Sequence, residues 1–272
     1  MTLAGALTAI DAWPGRHQAV AVVDRGGTLA SRGATEQRFA LASVTKPLVA
    51  YAVLVAVEEG SLDLDAPTDP GTSVRHLLAH ASGLAPDDET SIAPPASRRI
   101  YSNAGFEVLG RTLQAATGLP IATYLREAVL DPLAMVSTAL DGSPASGAVS
   151  TTVDLARFAA ELLEPTLVAR PTLADATNVQ FPGLVGVLPG FGRQSPNDWG
   201  LGFEIRDEKR PHWTGARNSP RTFGHFGRTG TFLWVDPVAG LAFVCLTDAG
   251  FGPWAQAAWP AVSDSVLEAA AR

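Results

Sequence analysis

SVTKPLVAYAVLVAVEEG, residues 43–60, is apolar on nearly every side, and a run of that length with no polar stripe reads as a buried helix. Gly60 supplies its stop. Pro47 does not argue against a helix, because the first four N–H groups have no internal partner to lose. Ser43 then falls in the first turn. One side chain is out of place: an apolar helix normally excludes lysine, yet Lys46 stands three residues after Ser43, on the same face and within reach of it. Burial lowers a lysine's affinity for its proton, so such an amine can take the proton of a serine hydroxyl. The helix N-terminus helps twice, by disfavouring the ammonium and by stabilising negative charge on a substrate oxygen. Taken alone, the Ser43/Lys46 spacing is weak, since an ordinary helix start with a snorkelling lysine also produces it. Lysine is scarce throughout, however: of 20 basic residues only Lys46 and Lys209 are lysines.

Upstream, QAVAVVD (18–24) and TLASRG (28–33) flank a Gly26-Gly27 turn and read as a hairpin. Downstream, a polar, Pro-rich stretch at 63–72 leads to VRHLLAHASGL, read as a short helix closed by Gly83. Further helices are expected from about Ala104 to Thr117 with Gly118 as stop, over IATYLREAVLDPL to near Pro132, and over 152–164 behind a Thr151 or Thr152 cap. The C-terminal third changes character. WGLGFEI, RTFGHFG, TFLWVDP and GLAFVCLTD are β-branched or aromatic runs broken by Gly, Asp or Pro, and read as an antiparallel meander before an alanine-rich helix at 254–271. Strands at both ends of the chain imply one sheet built from both termini. The chain is therefore expected to form a single mixed α/β unit, with 1–60 and 199–272 making a sheet lobe and 61–198 a mostly helical lobe.

Composition excludes several classes. At 272 residues the chain is long enough for a sizeable core, and 46% hydrophobic with 17% charged residues is globular rather than disordered. A net charge of -7 gives no basic stripe for nucleic acid. Cys245, the only cysteine, sits in the apolar run FVCL and reads as a buried hydrophobe. No segment reaches the length of a membrane span. The N-terminus lacks a basic start and carries Asp11 directly after its short apolar stretch, a poor secretory signal, so the cytoplasm is the expected location.

Two more segments carry chemistry. Tyr101-Ser102-Asn103, at the mouth of a helix, offers a phenol and a carboxamide at alternate positions. A tyrosine near an amine can shuttle a proton, and Asn103 can hold Lys46 or donate to a substrate carbonyl. The same three residues also suit a helix cap. His225-Phe226-Gly227 lies on an expected strand, where glycine permits the close backbone approach that a main-chain oxyanion donor needs.

In this order the three segments resemble the family of class C β-lactamases, penicillin-binding D-alanyl-D-alanine peptidases and related esterases. Ser43-Val44-Thr45-Lys46 is similar to that family's S-x-x-K nucleophile motif and Tyr101-Ser102-Asn103 to its Y-x-N. His225-Phe226-Gly227 resembles the third motif, usually K-T-G but H-x-G in many esterase-like members. HLLAHASGL (76–84) and GAVSTT (147–152) also match, so the similarity spans roughly 18–270. It implies a five-stranded antiparallel sheet flanked by helices, a helical lobe, and an active site between them. Ser43 would be acylated with Lys46 and Tyr101 as general-base pair. The oxyanion would lie between the N–H groups of Ser43 and Arg228, while Asn103, His225 and Gly227 would bind substrate. No cofactor or metal is implied.

The chain departs from the β-lactamase pattern at 225 and 226. His225 and Phe226 stand where Lys and Thr would receive a carboxylate; Phe226 donates nothing and a neutral histidine is a poor anion site, unless Arg228, Arg221 or Arg217 compensates. This favours a small ester or amide substrate over a β-lactam or cell-wall peptide, with a non-catalytic acylatable sensor as the reading from another class. His76 and His80 have no third ligand at metal spacing and read as structural. Trp199, Trp213 and Trp234 read as sheet packing, with Trp213 as a candidate for the groove, and Asp154 as first-turn charge.

Overall fold

The computed structural model describes residues 1–68 and 71–271; Asp69 and Pro70, in the polar stretch at 63–72, and Arg272 lie outside the described residues. The hairpin forms as β1 (Gln18–Asp24) and β2 (Gly27–Gly33), and the C-terminal third supplies β3 (Glu204–Ile205), β4 (Phe223–Gly227), β5 (Thr231–Asp236) and β6 (Leu241–Thr247). All six join one sheet in the order β3-β4-β5-β6-β1-β2, antiparallel throughout. The five strands that the family resemblance implied thus gain a two-residue edge. WGLGFEI yields so short a strand because Trp199 bridges Glu204 and Gly200 N–H donates to Phe203 O, which folds the segment back on itself.

Strand alternation decides which side chains share a face. Ala19, Ala21, Val23, Leu233, Val235, Ala242 and Val244 belong to one core, and Val20, Val22, Phe232, Trp234, Phe243 and Cys245 to another. Both faces are covered, which is why β6 is apolar at almost every position. The first core is filled by α1 (Thr45–Glu58), α2 (Asn103–Thr117) and α3 (Thr152–Leu163); the second by α4 (Pro253–Ala270), against which the short helix Leu3–Ala6 packs. Every residue of α1 from Thr45 to Ala56 is buried. Burying a leucine such as Leu48 or Leu54 contributes about 2 kcal/mol each, so the helix is held by packing on all sides.

Local expectations are met unevenly. Thr151 caps α3 by accepting from Asp154 N–H, and α2 closes at Gly118. VRHLLAHASGL is helical only over Val74–Leu78, because His80 takes φ 53° and turns its ring inward. IATYLREAVLDPL starts as an α-helix over Ile121–Leu125 and widens into a π turn over Arg126–Leu130. Within the expected mostly helical lobe, the 165–198 region contains a helix at Arg170–Ala176 and a hairpin of Gly186–Leu188 with Gly192–Gln194. Asp154 is more than first-turn charge: its buried carboxylate accepts from Ser137 N–H and Thr138 Oγ1 and ties that loop to α3. No helix of the described residues is long and apolar enough to cross a membrane.

Candidate active site

Ser43 sits in a 3-10 turn, Ala42–Val44, immediately ahead of α1. Ala42 is at φ 47°, a left-handed conformation that costs a residue with a Cβ about 1 kcal/mol. The surroundings hold it there. Thr231 Oγ1 donates to Leu41 O at 2.8 Å, Leu41 N–H to Ala148 O at 2.9 Å, and Ala148 N–H to Thr45 Oγ1 at 3.0 Å. Gly227 makes the approach of β4 possible, since a Cβ there would lie 2.4 Å from Leu41 O. The turn that presents Ser43 is thereby locked against the sheet.

Lys46, one helical step further, is fully buried. Its Nζ donates to Asn103 Oδ1 at 2.8 Å and to Ala145 O at 3.0 Å, and lies 3.5 Å from Ser43 Oγ. Burial brings its pKa down to about 7, against the opposing influence of Glu107 and Asp87. A neutral amine has two N–H bonds and one lone pair. With both N–H groups taken by Asn103 and Ala145, the lone pair is left for Ser43.

Ser102 is the helix cap, accepting from Gly105 N–H at 2.9 Å, donating to Ala85 O at 2.6 Å, and held through its own N–H by His80 Nδ1 at 3.1 Å. Its neighbours are consequently aimed at Ser43. Tyr101 Oη donates to Ser43 Oγ at 2.7 Å, and its ring lies 4.6 Å from Lys46 Nζ. Burial raises the phenol's pKa, so Tyr101 stays protonated. Asn103 Nδ2 donates to Asp87 Oδ1 at 2.8 Å, which fixes its oxygen toward Lys46. Capping and site-building are thus the work of the same three residues.

His225 shares the sheet face of Phe223 and α1, whereas Phe226 points to the other face, against Phe251 and Trp259. His225 Nδ1 donates to Phe226 O at 2.7 Å, which leaves Nε2 as a buried acceptor with no partner among the described residues. Burial first, and then the nearby Lys46, push its pKa down to about 3. The ring is neutral. Ser43, Tyr101, Asn103, His225 and Arg228 line one cavity of about 220 Å³; Lys46 and Gly227 stand behind its wall. Arg217 lies instead beside Asp264 and Glu268, and Arg221 lines a separate hollow near Leu162.

A family model described as Beta-lactamase matches residues 15–266. The chain belongs to the β-lactamase family. A crystal structure of a β-lactamase from Mycobacterium bovis is 57% identical, with a TM-score of 0.96 over 97% of this chain and 99% of that one. Esterase EstB from Burkholderia gladioli is 32% identical over 43% of this chain and 45% of its own length. A provisionally named D-alanyl-D-alanine carboxypeptidase from Salmonella newport is 24% identical over 64% of this chain and 50% of its own. The matches thus span about half the length of these curated relatives. EstCE1, a hydrolase with promiscuous acyltransferase activity, shares the fold at a TM-score of 0.80 and 18% identity over 97% of each chain.

Several residues of this β-lactamase-family site escaped sequence reasoning. Trp199, read as sheet packing, lines the cavity beside Tyr101 and His225. Trp213 is buried and donates Nε1–H to Glu204 at 3.0 Å. Glu204, also at the cavity wall, pairs with Lys209 and lies 2.9 Å from His212 Nε2, so the second lysine is buried in an ion pair. Ala145 acts through its backbone, and Glu107 accepts from Ser143, which in turn receives Ala145 N–H at 3.0 Å. The spacing of Glu107 four residues after Asn103 was the one available signal.

Proposed function

We propose that this protein is a serine hydrolase that cleaves a small ester or amide through an acyl-enzyme on Ser43. The observation that carries it is the set of bonds around Ser43 Oγ: a protonated Tyr101 donating at 2.7 Å and a buried Lys46 whose two N–H groups are engaged elsewhere. Ser43 Oγ attacks the carbonyl carbon as its proton passes to Lys46 Nζ. Tyr101 then gives its proton to the leaving oxygen or nitrogen and recovers one from Lys46. Water repeats the sequence in reverse: its proton is taken by the same pair, and Ser43 leaves as the acid is released. The N–H groups of Ser43 and Arg228 are the oxyanion donors in this reading, supported by the place of both residues on the wall of the same cavity. Asn103 orients Lys46. Gly227 admits β4 to the turn, and His225 offers substrate an acceptor.

A neutral acceptor at 225 supports an ester or amide over a substrate that presents a carboxylate there. Arg228 is the arginine among the residues that line this cavity. The test is turnover of p-nitrophenyl esters of increasing acyl length beside a chromogenic cephalosporin, with Ser43→Ala alongside. Ester hydrolysis lost in the variant, with little cephalosporin hydrolysis, is the expected result. A stable adduct on Ser43 without turnover points instead to a sensor, cephalosporin turnover to a β-lactamase, and failure to acylate removes the nucleophile.

A further inference from the structure

A second cavity, of about 570 Å³, opens beside the first and shares Tyr101 and Pro189 with it as common walls. Its lining is largely apolar, with Pro86, Ile92, Ile100 and Val187, and includes the basic residues Arg98 and Arg193. Val187 and Ile92 are 60% and 48% exposed, large apolar side chains left facing this space. Val187 and Arg193 are directly opposite in their hairpin, so their side chains leave the same face. Arg98 donates to Ile92 O at 3.1 Å. Among the described residues neither arginine has an ion-pair partner, and the carboxylates of the adjoining loop are engaged: Asp87 by Asn103, Asp88 by Thr90 N–H, and Glu89 by Arg111.

The cavity is built rather than incidental. Arg99, buried between the two arginines' segments, donates to the carbonyls of Asn197, Ala79 and Gln180 at 3.0, 2.6 and 2.8 Å. Its N–H donates to Val185 O at 2.9 Å, and Gly186 packs so closely that a Cβ would lie 2.4 Å from Arg99 O. The hairpin wall is thereby fixed against the segment that carries Tyr101. In a chain of net charge -7, two arginines without an ion-pair partner among the described residues, over an apolar trough beside Ser43, select for one kind of ligand.

We propose that this cavity is a substrate subsite for an apolar arm ending in an anionic group, a carboxylate bound by Arg98 and Arg193. This rests on the hydrolase reading of the neighbouring site and names its substrate class: a monoester or monoamide carrying a carboxylate several methylenes from the scissile bond. The test compares monomethyl adipate with methyl hexanoate, which places the charge on the acyl side, and 6-acetoxyhexanoate with hexyl acetate, which places it on the alcohol side. In one of the two pairs the anionic ester is expected to show at least a tenfold higher kcat/KM. Arg98→Gln/Arg193→Gln should reduce that ratio to about one while the neutral esters are hydrolysed as before, and salt should erode it in the native protein. Equal rates within both pairs, or a preference that survives the double variant, would overturn the subsite and leave the hydrolase standing. Calorimetry of the same anionic esters on Ser43→Ala reads the subsite without turnover. Arginine-dependent binding there upholds it even if no ester is cleaved, and no such binding overturns it.

Discussion

Replacing Tyr101 with phenylalanine deletes one oxygen and little else. The ring keeps its place against His80, at 4.6 Å between centroids, and over Lys46 Nζ. What goes is the 2.7 Å bond that Tyr101 Oη donates to Ser43 Oγ. Loss of one neutral hydrogen bond at a cavity wall costs about 1 kcal/mol of stability, so the variant should fold. Loss of a positioned acid–base group costs roughly 10²–10⁴ in rate, or about 3–5 kcal/mol in the barrier. In the proposed mechanism Lys46 remains the base. Its pKa of about 7 and its need to be neutral mean that activity rises with pH through that value and levels off above it, in wild type and Tyr101→Phe alike. Stopped-flow acylation by p-nitrophenyl acetate, followed from pH 5 to 9, separates the two effects. A loss smaller than about tenfold at every pH would show that Tyr101 only packs, and a displaced acid limb would show that the titrating base is not Lys46 alone.

Three further outcomes follow from the same geometry. Glu107→Gln removes a carboxylate that supports the ammonium of Lys46 while keeping an acceptor for Ser143, so the acid limb should move to lower pH, by roughly half a unit or less; a shift upward contradicts the electrostatics. Ala42→Gly relieves the left-handed φ of 47° and should raise the urea midpoint, by about 0.5 kcal/mol of stability, whereas a clear loss would mean the methyl packs usefully. Glu204→Gln strands Lys209 in the interior and should cost about 3–5 kcal/mol in urea unfolding at pH 7, a value below 1 kcal/mol being incompatible with the ion pair. Burial pushes the Glu204 carboxyl up, but His212 and Lys209 overcome it and hold it at about 2, below its ordinary 4.5. A depressed carboxylate stabilises above its unfolded pKa, so that contribution should be intact above pH 4.5 and disappear as the pH falls toward 2.

The amino-acid sequence by itself determined the elements and the candidate reacting groups. An all-apolar run interrupted by one lysine, six β-rich segments divided between the two ends of the chain, and three short motifs in order were enough to place Ser43, Lys46 and Tyr101 together. Periodicity and exclusion of charge from apolar helices are local rules, readable without coordinates. Tertiary structure alone decided what surrounds those groups. Whether Lys46 is a base depends on the Ala145 carbonyl and on Asn103, 99 and 57 residues away. Trp199 lies at the cavity because its segment doubles back, and His225 is neutral because burial outweighs its affinity for a proton. Backbone carbonyls, loop closure and desolvation have no letter in the sequence; they arise only when distant segments exclude water from the same volume.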